Sequence, residues 1–161
     1  MGYLVFVLTA LLLLAADQLT KYWISSVLIP GQTLWSFGFI NITLVHNSGA
    51  AFGLFPDAFW PLVIIRSLGA VIIIAGVIIF KRLLQNWGGL LILFTLGMVL
   101  AGTLGNLTDQ IRFRYVVDFI DLTYWPVFNV ADSSVVIAMF LFAYLLLWPR
   151  KSQKAKTEIQ K

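Results

Sequence analysis

The chain has 161 residues, of which 60% are apolar and only 11% charged, against roughly 25% charged in soluble globular proteins. An ordinary soluble domain is excluded, because so short a chain has too little interior to hide that much Leu, Ile, Val and Phe, and much of it must face lipid. The formal charge is +4, but five of the eleven Lys and Arg lie in the last twelve residues, so the charge speaks of topology before nucleic acid. The absence of Cys removes disulfides, thiolate metal sites and thiol catalysis, and one His, His46, leaves no His-rich metal cluster. Neither a metal nor a cofactor is called for.

Four stretches approach the ~20 apolar residues that cross a hydrocarbon core: 2–24, 59–80, 87–107 and 130–148. The first has no Lys or Arg ahead of it, which argues against a secretory signal and for a retained transmembrane helix. Four spans put both termini on one side. Lys81, Arg82 and the basic tail 149–161 place seven cations there, against Lys21, Arg66, Arg112 and Arg114 on or toward the other side. The excess expects both termini in the cytoplasm and makes the tail a topology anchor, with no nucleic-acid partner.

Between the first two spans, 25–58 alternates residues such as Thr33, Trp35, Phe37 and Asn41 with Leu34, Ser36, Ile40 and Ile42. The pattern predicts a small β-rich cradle on the outer membrane surface, bracketed by turns at Pro30-Gly31 and Asn47 to Gly49. A second outer segment, 108–128, carries Asp109, Asp118 and Asp121. The expected fold is mainly α and integral to the membrane, one domain over 1–148.

Ionisable residues at membrane depth are functional hypotheses by default. Asp17 and Lys21 stand four apart on the first span, either as a self-neutralising pair or as support for a site. Arg66, in the second span, either snorkels outward or pairs with an acid from another helix. Gly97, Ala101 and Gly105 form a small-residue face on the third span, while Gly102, Asn106 and Asp109 share the adjoining stripe. Asn129 and Asp132 open the fourth span; a helix cap explains them locally. Asp118, however, lies only fourteen positions earlier within Val116-Val117-Asp118-Phe119, close enough for the chain to bring the two acids together. Two carboxylates in a partly apolar site titrate apart, one serving as base and one as acid, which is the equipment for water-mediated peptide hydrolysis. Asn47, in a run of small residues, suits either a tight turn or a grip on an extended peptide backbone.

Five pieces in order, Asp17-Gln18-Leu19-Thr20-Lys21, Asn47-Ser48-Gly49-Ala50-Ala51-Phe52, Gly105-Asn106-Leu107-Thr108-Asp109, Val116-Val117-Asp118-Phe119 and Phe128-Asn129-Val130-Ala131-Asp132, resemble the lipoprotein signal peptidase family, also called signal peptidase II. The resemblance implies a four-helix aspartyl peptidase of the bacterial cytoplasmic membrane, active at the outer face. It would cleave lipid-modified prolipoproteins just before a diacylglyceryl-modified cysteine. It implies Asp118 and Asp132 as the catalytic dyad, with Asn47, Gly105, Asn106, Asp109, Asn129 and Ala131 lining or supporting the site and Asp17 and Lys21 nearby. One position departs: the family usually carries Arg after the acid of the third motif, where this chain has Gln110. Either Arg112 or Arg114 supplies the missing guanidinium, with Arg112 counted among the substrate-binding or supporting residues, or Gln110 itself donates a neutral hydrogen bond and both arginines serve topology. From other classes, an ion or proton relay along the aspartates and a scaffold built on the small-residue face stand as alternatives.

Overall fold

A computed structural model describes residues 2–49 and 59–147. The expectations for Ala50 to Ala58, for Trp148 and for the basic tail 149–161 lie outside these residues. Four long helices form, α1 (Gly2–Val27), α2 (Phe59–Ile79), α3 (Lys81–Phe113) and α4 (Val130–Leu147). Each contains a stretch long and apolar enough to cross a membrane. Helices are the form such sequences take in lipid, because without water every backbone group must be satisfied within its own segment.

The helices are not equivalent. α3 packs against α1, α2 and α4, and 56% of its spanning window is buried, against 11% in α2. It is the axis of the bundle. Side chains such as Leu12, Ile65, Ile72 and Phe140 are exposed on the periphery, an apolar surface suited to lipid. Gly89, with φ +60° and ψ −135°, breaks α3 near its start, leaving Gly89–Phe113 as the spanning part. The helix continues six residues beyond the expected 107, closing on Arg114 in the left-handed region, whose N–H bonds Gln110 O. Asn106, Asp109 and Gln110 therefore project from one rigid rod.

Small residues set how close the helices come. A Cβ on Gly97 would stand 2.7 Å from Phe6 O of α1, and one on Gly102 would stand 2.4 Å from Ala131 O of α4. At Gly105 it would meet both Asp17 Oδ2 at 2.5 Å and the Ala131 Cβ at 3.1 Å. The small-residue stripe thus serves two neighbours at once.

At one end of the bundle lies a three-stranded antiparallel sheet in the order β1 (Thr33–Phe37), β2 (Ile40–Asn47), β3 (Val116–Asp121). Gly38 has φ +61°, the positive value that a two-residue type II′ hairpin needs at its first central position. The first two strands fall where alternation places them. β3 has no counterpart in the sequence reading: its β-branched, half-apolar run becomes a strand by pairing with β2 along Val45↔Asp118 and Asn47↔Val116. One face of β3 buries Val117 and Phe119 against Ile24, Leu28 and Leu44, anchoring the sheet to the end of α1. Period two then turns Val116 and Asp118 to the other face.

Candidate active site

The chain after β3 folds straight back. Phe119 N–H and Ile120 N–H both donate to Phe128 O, and Phe128 N–H donates to Ile120 O. This clamp lays the start of α4 beside β3, so Asn129 meets Asp118. Asn129 does two jobs with one amide. Its Oδ1 accepts Asp132 N–H at 2.9 Å, capping α4, while the Asp132 carboxylate reaches back to Asn129 N–H at 3.4 Å, a capping-box reciprocity. Its Nδ2 donates to Asp118 Oδ1 at 2.6 Å and to Asn106 Oδ1 at 3.0 Å. The cap read from the sequence and the site are the same residue.

Asp118 and Asp132 line one cleft of about 380 Å³ together with Asn47, Asn106 and Arg66. Each carboxylate is held by asparagines. Asn47 Nδ2 donates to Asp118 Oδ2 at 2.9 Å, and Asn106 Nδ2 donates to Asp132 Oδ1 at 2.7 Å. Burial pushes the Asp118 carboxyl up to about 7; the Asn47 bond pulls it down, neighbouring Asp132 pushes it further up, and Asn129 and Lys21 oppose. Burial wins because three favourable contacts at a protein-enclosed carboxylate do not replace its lost water.

Behind the cleft lies a buried ionic network. Lys21 Nζ stands 2.9 Å from Asp17 Oδ2, 2.9 Å from Asp109 Oδ2 and 3.0 Å from Asn106 Oδ1, engaging all three ammonium donors. Donation to Asn106 Oδ1 from both Lys21 and Asn129 leaves the Asn106 NH₂ to face Asp132. Asp17 Oδ1 accepts Ala131 N–H at 2.8 Å, satisfying a first-turn donor of α4 that has no partner within its own helix. Asp109 Oδ2 accepts Val117 N–H at 3.1 Å, tying β3 to α3. Gly105 leaves room for the Asp17 carboxylate, which a Cβ there would meet at 2.5 Å. Among the described residues no buried side-chain nitrogen or oxygen is left without a hydrogen-bond partner.

Asn47, Gly105, Asn106, Asp109, Asp118, Asn129, Ala131 and Asp132, with Asp17 and Lys21, are thus brought to one end of the bundle. Arg112 and Arg114 are not brought to the carboxylate cleft. The Arg112 guanidinium lies over the Phe113 ring at 5.0 Å and borders a separate cleft beside Gln18 and Tyr22, while that of Arg114 lies over Phe59 at 4.7 Å. The guanidinium enters from α2 instead: Arg66 Nη1 donates to Gln110 Oε1. It borders the carboxylate cleft, and among the described residues it forms no ion pair with an acid. Gln18, absent from the expected site, donates to Asp109 Oδ1 at 3.0 Å and Gly105 O at 3.2 Å. Its position one residue after Asp17 was the available signal. His46 stacks on Tyr115, ring centroids 3.8 Å apart, beyond the cleft.

The fold is that of bacterial membrane enzymes. Two solved structures described in those words superimpose on it with TM-scores of 0.79 and 0.76, at 31% and 30% identity, covering 88% and 91% of this chain and 87% and 94% of theirs. Residues 9–148 match the family model for signal peptidase (SPase) II, and the chain belongs to that peptidase family. Among its relatives, the lipoprotein signal peptidase of Moorella thermoacetica is 45% identical over 149 residues, 92% of this chain and 96% of that protein. That of Syntrophus aciditrophicus is 36% identical over 158 residues, 93% of this chain and 96% of the relative.

Proposed function

We propose that this protein is an aspartic endopeptidase that removes the signal peptide from diacylglyceryl-modified prolipoproteins, cutting just before the lipidated cysteine, with Asp118 and Asp132 as its catalytic dyad. The observation that carries the reading is the convergence of two carboxylates, one from a sheet strand and one from a helix N-terminus, on a single cleft at the sheet end of the bundle. Asp132 lies in the first turn of α4, where the helix dipole favours a negative charge, and it serves as the base. Asp118, raised to about 7, serves as the acid.

Asp132 takes a proton from water as the hydroxyl adds to the scissile carbonyl carbon, and Asp118 gives its proton to the carbonyl oxygen. On collapse, Asp132 hands its proton to the departing amine and Asp118 recovers its own. Asn47, Asn106 and Asn129 keep the two carboxylates aimed into the cleft throughout. The excess of cations on the opposite side supports a topology with both termini in the cytoplasm and the cleft at the outer face of the bacterial cytoplasmic membrane.

A proton or ion relay finds no support in this arrangement. The five described aspartates, Asp17, Asp109, Asp118, Asp121 and Asp132, all gather at the sheet end, so no chain of acids among the described residues leads across the bilayer. The test is cleavage of a lipidated prolipoprotein peptide by purified protein in detergent, with chelator present. The wild type should release the signal peptide, and Asp118→Asn and Asp132→Asn should each abolish release while remaining helical. A single variant that keeps most of the activity would refute the dyad.

A further inference from the structure

Arg66 is the only ionisable residue in α2, the helix with the least buried spanning window, so its charge is held at a position where a bilayer disfavours it. Its setting is specific. The side chain is half-buried and borders the same cleft as Asn47, Asp118 and Asp132. Asp132, Asp118 and Asp109 all lie within its electrostatic reach. Yet its hydrogen bond goes to a neutral group: among the described residues the partner is Gln110 Oε1, on the central helix. Gln110 is only 2% exposed, so this amide is a fixed part of the wall.

A guanidinium carries five donors in a rigid fork. The bond to Gln110 uses one Nη1 donor, and no carboxylate forms an ion pair with it among the described residues. Arg66 borders a cleft that is also lined by Asn47, a hydrogen-bonding side chain at the end of β2. A polypeptide backbone crossing the cleft in extended form offers carbonyl oxygens, the acceptors that such a fork fits.

Resting on the peptidase reading above, we propose that Arg66 is a substrate-binding residue: held by Gln110, its guanidinium donates to a backbone carbonyl of the peptide laid between Asp118 and Asp132. Gln110 acts through Arg66 as a positioning residue. Arg112 and Arg114, engaged with aromatic rings away from the cleft, take no part.

Two measurements separate this from the reading on which it rests. The first is the dissociation constant of a lipidated peptide carrying a non-cleavable bond at the scissile position; the second is KM, kcat and the pH–rate profile with the cleavable peptide. Arg66→Gln should weaken binding and raise KM by about ten- to a hundredfold, the range for a charge-assisted bond, with both limbs of the pH profile in place. Arg66→Lys, which keeps the charge and loses the fork, should recover only part of the affinity. Arg66→Gln combined with Gln110→Arg, which carries the guanidinium across the same contact, should recover more than Arg66→Gln alone.

Binding and KM within twofold of wild type for Arg66→Gln would overturn the inference. So would a loss confined to kcat with displaced pH limbs, which would make Arg66 an electrostatic partner of the dyad. If Arg66→Gln does not fold, Arg66→Lys decides, since a folded Lys variant with unchanged binding also overturns it. Failure of the wild type to cleave overturns the peptidase reading, whereas the non-cleavable peptide still reports on Arg66.

Discussion

At the scale of single residues, the site is organised by amides whose two ends face different partners. Asn129 caps α4 with its oxygen and holds Asp118 with its nitrogen, so one side chain couples the helix start to the acid. Asp118 has a consequence for stability that can be signed. Its carboxyl stands near 7 when folded and near 3.9 in an unfolded chain. Between these values the folded state binds more protons, so this group's contribution is full below about pH 4 and is lost as pH rises through about 7. Asp118→Asn cannot suffer that loss. Its unfolding midpoint in detergent should gain on wild type between pH 4.5 and pH 8, corresponding to a relief of up to about 4 kcal/mol. An unchanged difference between the two proteins across that range would contradict the buried, protonated acid. Lys21 is the complementary case. Lys21→Met leaves Asp17 and Asp109 buried without their shared cation, and breaking a buried pair this way costs about 3–5 kcal/mol. The melting temperature should drop sharply, and cleavage should fall as the Asn106 amide loses the partner that orients it.

At the scale of elements, the geometry of the two cleft carboxylates depends on how closely α4 lies on α3. That distance is set at Gly102, where an added methyl would stand 2.4 Å from a backbone oxygen of α4 and 2.5 Å from the Val135 side chain. The backbone atom cannot swing aside, so α4 itself must shift, carrying Asn129 and Asp132 with it. Gly102→Ala should lower stability by about 1–3 kcal/mol, the usual range for overpacking, and should reduce kcat. Gly76→Ala in α2, where a Cβ meets nothing within 4 Å, is the matched control and should leave kcat unchanged and the melting temperature unchanged or slightly raised, since Ala is the better helix former. The sheet is the second structural arm. β3 is placed by its pairing with β2 and by the Asp109 bond to Val117 N–H, which together deliver Asp118 to the cleft.

At the scale of the whole molecule, a broad apolar perimeter surrounds a polar end. α1, α2 and α4 expose Leu, Ile and Phe along their lengths while every described acid clusters beside the sheet. A substrate with acyl chains can keep them in lipid beside this perimeter while its peptide enters the cleft. Each buried methylene contributes about 0.8 kcal/mol, enough for two acyl chains to dominate recognition. The same peptide without its lipid should therefore be a very poor substrate in a direct comparison of kcat/KM. Equal cleavage of the two would reject lipid-dependent recognition while leaving the dyad intact.

How much of this was legible in the chain follows from the range of each interaction. The four helices, the first two strands and the motif residues of the site are local statements, because apolar run length, period-two alternation and short polar motifs need no knowledge of neighbours. Membership of the cluster by Asp17, Lys21, Asn106, Asp109, Asn129 and Asp132 was readable for the same reason: ionisable and amide side chains at membrane depth stand out against a 60% apolar chain. β3 was not readable, since six residues with mixed pattern become a strand only when β2 supplies its hydrogen bonds. Nor was the partner of Gln110. Sequence proximity to Gln110 favoured Arg112 and Arg114, yet on a helix and its cap those side chains leave on other faces, while Arg66, 44 positions away, arrives through the packing of α2 on α3. Local chemistry thus determined which residues are too costly to be idle in lipid, and the packing of helices and strands decided which of them face one another, because side-chain direction depends on the rotation and approach of whole elements.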